Sequence, residues 1–181
     1  MTPAHQHFYT KSLIARGSIL SLAAIMERSL DGLLSRYFSV SDQQRQLELI
    51  ELLFSTERIN FRSKYKLLID ILRRKLGDKY NQEFPQLQNK FDDATRVRNI
   101  FAHECEIPSD IVMPDEFYNA YHIAIVSLKD ISKSRGYTEN EIDVFIEQFT
   151  ELSGWLDKAT NVLFGEKTYR NTRVNDNRVS R

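Results

Sequence analysis

Apolar positions recur at steps of three and four along most of this chain, the spacing of a helix that buries one face. Over residues 10–38, Leu13, Leu20, Ala23, Ala24, Met26, Leu30, Leu33, Leu34 and Phe38 keep that step and predict one long helix. Residues 1–9 are polar and read as a short flexible lead, with His5 and His7 either a weak metal pair or part of a frayed end. Glu27 and Asp31 lie one turn apart beside Arg28 and read as a solvated charged face. Residues 39–41 break the pattern, and Ser41 or Asp42 can cap a second helix over 43–54 with Leu47, Ile50 and Phe54 on one side. After Ser55 and Thr56, a third helix runs to Leu76 with Phe61, Tyr65, Leu68, Ile71 and Leu72 inward, and Gly77 stops it. Arg73, Arg74 and Lys75 crowd its last turn, where they offset the helix dipole or touch RNA. Pro85 suits a first helical turn, so a fourth helix starts within residues 81–85 and ends near His103.

The period then changes. Residues 104–116 carry Pro108 and Pro114 and no helical stripe, while residues 121–128 are rich in β-branched and aromatic side chains. A β-hairpin of 105–113 with 121–129 is expected, a helix over 115–134 being the alternative, and His122 is expected to be packed or exposed rather than catalytic. Thr138-Glu139-Asn140-Glu141 is a capping-box pattern. It opens a last helix to about Phe164, striped with Ile142, Phe145, Ile146, Phe149, Leu152, Leu156 and Leu163, which Gly165 closes. The expected fold is mainly α: an up-and-down bundle of about five helices, with a small β-hairpin between the fourth and last. One domain covers residues 10–164. Residues 165–181 are expected to form a disordered basic tail, a solubilising end or a weak RNA-binding arm.

Composition narrows the function without naming it. A chain of 181 residues with 41% hydrophobic and 28% charged residues fits one globular domain with a real core. Acidic and basic residues balance to zero net charge, so any anion site must be local. Six glycines and four prolines favour long helices. The single Cys105 leaves no intrachain disulfide and no cysteine-rich zinc module. Residues 17–26, the longest uncharged run near the start, fall far short of the roughly 20 apolar residues that span a bilayer. Arg16 interrupts the only leader-like run, so a soluble, cytoplasmic protein is expected.

The chemistry concentrates in Arg98-Asn99-Ile100-Phe101-Ala102-His103. At roughly 100° per residue, Ala94, Val97, Ile100 and Phe101 share one face, Asn99 and His103 fall together with Arg96 nearly opposite, and Arg98 sits on the flank. No Gly-rich phosphate loop, His-Glu-x-x-His or Gly-x-Ser-x-Gly is present. His103 and Cys105 lack an identifiable orienting third group for a nucleophile pair. The remaining parts suit a phosphodiester: a guanidinium holds two phosphate oxygens, an imidazole moves a proton near neutral pH, and an amide orients either. They are equally the parts of a solvated helix rim.

This hexapeptide resembles the Arg-polar-x3-His form of the Arg-x4–6-His motif of the HEPN superfamily. Phe61-Arg62-Ser63-Lys64-Tyr65 is similar to the Phe-x2-Lys helix start of some members, and the resemblance covers residues 10–164. It implies a helical bundle, often a homodimer that brings two motifs into one cleft. In many members the implied activity is a metal-independent endoribonuclease of toxin–antitoxin or antiviral systems, with no cofactor. By that resemblance Arg98 and His103 are the catalytic pair and Asn99 the polar residue beside the arginine. Cys105 stands where the toxin branch commonly has Tyr, and Asn-x-Phe-Ala-His resembles the branches similar to the mannitol operon repressor. Two functions are therefore expected: a ribonuclease of the toxin or phage-defence kind, with a composite dimer site, RNA as substrate and an antitoxin or regulatory protein as a further partner; or a non-catalytic helical regulator or interaction module.

Overall fold

The computed structural model of the chain describes residues 2–40, 42–54, 58–103, 105–106, 113–126 and 135–165. The expectations for Ser41, Ser55, Thr56, the middle of the hairpin and the basic stretch after Gly165 lie outside those residues. The architecture is a mainly α bundle with a small antiparallel sheet, as the periodicity predicts. Its helices are α1 (Pro3–Ser39), α2 (Gln43–Leu49) continued by a π-helical turn (Ile50–Phe54), α3 (Phe61–Leu76), the short α4 (Tyr80–Glu83), α5 (Leu87–His103), the short α6 (Asp115–Ala120) and α7 (Glu139–Phe164).

Local signals set most helix ends. The side chains of Asp42 and Asn60 accept the amides of Arg45 and Ser63, capping α2 and α3. At Thr138 both halves of the capping box form, and Glu141 Oε2 accepts the Thr138 amide at 2.9 Å. That bond is the main reason the Glu141 carboxyl lies below its ordinary value. Gly165 ends α7 in the left-handed region at φ 71°. Pro85 lies in the turn before α5 rather than in its first turn.

The core is one cluster drawn from every long helix. Ile19, Leu30 and Leu34 of α1, Tyr65, Leu68 and Leu72 of α3, Phe91, Ala94 and Phe101 of α5, and Phe149 and Leu152 of α7 are all buried. The Tyr65 and Phe91 rings stack at 5.0 Å with an interplanar angle of 1°, fixing α3 against α5. Lys90 reaches Glu151 at 2.7 Å and Lys158 reaches Glu83 at 2.9 Å, tying α7 to α5 and α4. Leu13, on the predicted inward stripe of α1, is half exposed, as is Leu47 of α2.

The expected flexible lead is corrected: residues 3–9 are the first turns of α1. Thr2 caps the helix by accepting the His5 amide at 3.2 Å, and Pro3 takes a position where its missing N–H costs nothing. Packing holds the end in place, because the buried His5 ring stacks on Tyr118 of α6 at 4.7 Å and Phe8 lies 5.3 Å from the same ring. His5 is thus a packed aromatic side chain rather than half of a metal pair.

The sheet has three strands among the described residues: β1 (Cys105–Glu106), β2 (Ile123–Val126) and β3 (Arg135–Tyr137), in the order β1-β2-β3. The first two pair antiparallel, Cys105 opposite Val126, and β3 adds to the other edge of β2, Ile123 opposite Tyr137. The two expectations for this region are each partly realised, since α6 occupies the start of the alternative helix and β2 the strand. A Cβ at Gly136 would lie 2.5 Å from the Tyr121 ring, inside any tolerable contact. Gly136→Ala should therefore cost about 1–3 kcal/mol, read as a lowered midpoint in urea; an unchanged midpoint would mean the ring moves aside freely.

Candidate active site

Three of the helices converge on Arg98. Because Ala94, Val97 and Phe101 are buried, the orientation of α5 is fixed, and Arg98 faces α1 and α3. It borders an open cavity of about 730 Å³ that is also lined by Glu27, Arg28 and Asp31 of α1, Phe54 of the π-helical turn, and Phe61 and Lys64 of α3. The guanidinium donates to Asn99 Oδ1 at 3.0 Å, so Arg98 and Asn99 are held together on the exposed end of α5.

His103, the last residue of α5, is also exposed but does not line that cavity, and it makes no hydrogen bond or ion pair among the described residues. It follows Arg98 by five positions, a turn of about 140° along an ideal helix. Within one chain the structure bonds Arg98 to Asn99, whereas His103, one helical turn after Asn99, is bonded to neither and lies outside the cavity that Arg98 borders. Neighbouring Arg96 belongs to another surface, pairing with Asp93 at 3.3 Å and bordering a cleft with Arg135 and Tyr137.

The floor of the cavity is a buried cation held between two carboxylates. Lys64 is 2% exposed, and its ammonium lies 2.9 Å from Asp31 Oδ1 and 3.1 Å from Glu27 Oε1. Asp31, expected on a solvated face, is instead buried, which is a correction to that reading. The Asp31 contact is an ion pair without good hydrogen-bond alignment, so burial outweighs Lys64 and pushes the Asp31 carboxyl above its ordinary value. A sequence signal for this pair did exist: Lys64 falls three residues after Phe61 and four before Leu68, inside the apolar stripe of α3, where a cation needs a buried partner. Beneath it, Tyr65 donates its hydroxyl to Asp92, and burial together with that carboxylate pushes the phenol up to about 12.

The raised Asp31 value gives a pH dependence with a definite sign. Between the ordinary carboxylate value and the raised one, the folded chain holds more protons than the unfolded chain, so stability from this group falls as pH rises. The stability of the native protein minus that of Asp31→Asn should therefore decline across that window in parallel urea titrations. A difference that stayed flat or rose would contradict the burial argument.

Among the described residues no group of three or more His, Cys, Asp and Glu side chains is placed to hold a metal ion, and no helix is long and apolar enough to cross a membrane. Comparison with protein-family models, with curated proteins and with solved structures finds no match to this chain.

Proposed function

We propose that this chain is a HEPN-like, metal-independent endoribonuclease whose Arg98 and His103 meet on one phosphodiester across the interface of two copies. The observation that carries the reading is the exposure of both residues on the last two turns of α5. Neither has a competing carboxylate partner among the described residues. One histidine does not readily serve as both base and acid, whereas two copies can bring two imidazoles and their guanidiniums to one phosphodiester. A role in toxin–antitoxin or phage-defence systems, in a cytoplasmic setting, belongs to the same proposal.

The chemistry is a transesterification. An imidazole takes the proton of the 2′-hydroxyl, whose oxygen attacks the adjacent phosphorus. Arg98, oriented by Asn99, neutralises the charge gathering on the phosphoryl oxygens. The P–O5′ bond breaks and the leaving 5′-oxygen takes a proton from the second imidazole, giving a 2′,3′-cyclic phosphate and a 5′-hydroxyl. Two histidines serve the two proton transfers, which is why a second copy completes the site. The test is incubation of purified protein with single-stranded RNA in EDTA beside Arg98→Ala and His103→Ala. Cleavage by the native protein alone is expected; equal cleavage by all three, or none by any, would sink the proposal.

A second reading rests on a different observation. Leu13, Ile14 and Ile25 of α1 are each at least half exposed, apolar side chains that suit contact with a protein partner of a non-catalytic regulator. Co-purification of a stoichiometric protein with RNA left intact would favour it.

A further inference from the structure

We infer that the cavity beside Arg98 is a base pocket that takes a guanine from the nucleotide next to the cleaved phosphate. This deepens the ribonuclease reading and rests on it for the phosphate at Arg98. Size, wall and charge agree. At about 730 Å³ the cavity is within the range that encloses compact organic ligands. Phe54, Phe61 and Ile59 supply an apolar wall against which a flat base can stack. Three cations, Arg28, Lys64 and Arg98, face two carboxylates, Glu27 and Asp31, leaving one positive charge for the single negative charge of a phosphodiester.

The hydrogen-bonding groups select among bases. Glu27 has a third of its side chain exposed, and among the described residues only its Oε1 is engaged, by Lys64 at 3.1 Å. An ionised carboxylate accepts and never donates. Guanine alone presents two adjacent donors, N1–H and N2–H, to such a group. Uracil flanks its single donor with carbonyls that a carboxylate repels, and adenine and cytosine set a lone acceptor beside their amino group. Lys64 has three N–H donors, of which Glu27 takes one, and another suits the guanine O6 acceptor.

The test is calorimetric titration of the full chain with the 3′-monophosphates of guanosine, adenosine, cytidine and uridine. Guanosine 3′-monophosphate should bind about ten-fold tighter than the others or better, the discrimination a paired-donor contact supplies. Glu27→Gln should bring all four to within about two-fold of one another. Phe61→Leu should weaken all four alike and keep their order, a readout that serves even if Glu27→Gln melts early. Absence of binding, binding without preference, or a guanine preference that survives Glu27→Gln would overturn the pocket. Guanine-selective binding without RNA cleavage would leave the pocket standing and overturn the ribonuclease reading instead, whereas cleavage with no base preference in binding would overturn the pocket alone.

Discussion

Lys64→Ala should destabilise the fold by about 3–5 kcal/mol, a loss as large as that of a major core side chain. The ammonium is almost wholly buried and is the counter-ion of Asp31, which is itself buried, and of Glu27. Removing it strands negative charge in a low-dielectric site, and that penalty, rather than the net worth of the pair, sets the size of the effect. Two further results would identify the cause. Part of the lost stability should return at low pH, where Asp31 takes up a proton. The double substitution Lys64→Met with Asp31→Leu should recover most of it, because both desolvation costs vanish together. A Lys64→Ala protein within about 1 kcal/mol of the native one would place this ion pair with weak surface pairs.

His103→Ala should lower the rate of RNA cleavage by about 10²–10⁴, the usual worth of a positioned acid–base group. Its fold should be unaffected, since the side chain is exposed and bonded to nothing among the described residues. That separates it from Lys64→Ala, where any loss of activity would follow loss of structure. Arg98→Lys should remain impaired, because a point-charge ammonium does not span two phosphoryl oxygens as a guanidinium does. Its melting temperature should match the native one, Arg98 being exposed. A His103→Ala protein that misfolds or fails to self-associate would move the histidine from chemistry to architecture and favour the regulator reading.

What was legible from the chain alone follows from how local each signal is. The stop of α3 and both ends of α7 were readable because Gly77, Thr138 and Gly165 act within one turn of themselves. The start of α1 reads as a flexible lead because Thr2-Pro3 is a weak signal until Tyr118, far along the chain, stacks on His5. The third strand was missed for the same reason: a segment as short as Arg135–Tyr137 is defined by its pairing with β2, not by its own composition. At the candidate site, the order Arg98, Asn99, His103 was visible as a motif, and the helix period already separated Arg98 from His103. The cavity was not visible, because Asp31 and Lys64 meet only once α1 and α3 pack.

The proposed ribonuclease site requires that two copies of the α5 end share one cleft. A spin label at His103→Cys in a Cys105→Ser background, read by pulsed dipolar spectroscopy, tests it most directly. Each imidazole must come within hydrogen-bond reach of the same phosphodiester, so a dimer with an inter-label distance on the order of 10–20 Å is expected. A monomer at working concentration, or labels separated by many tens of ångströms, would contradict it.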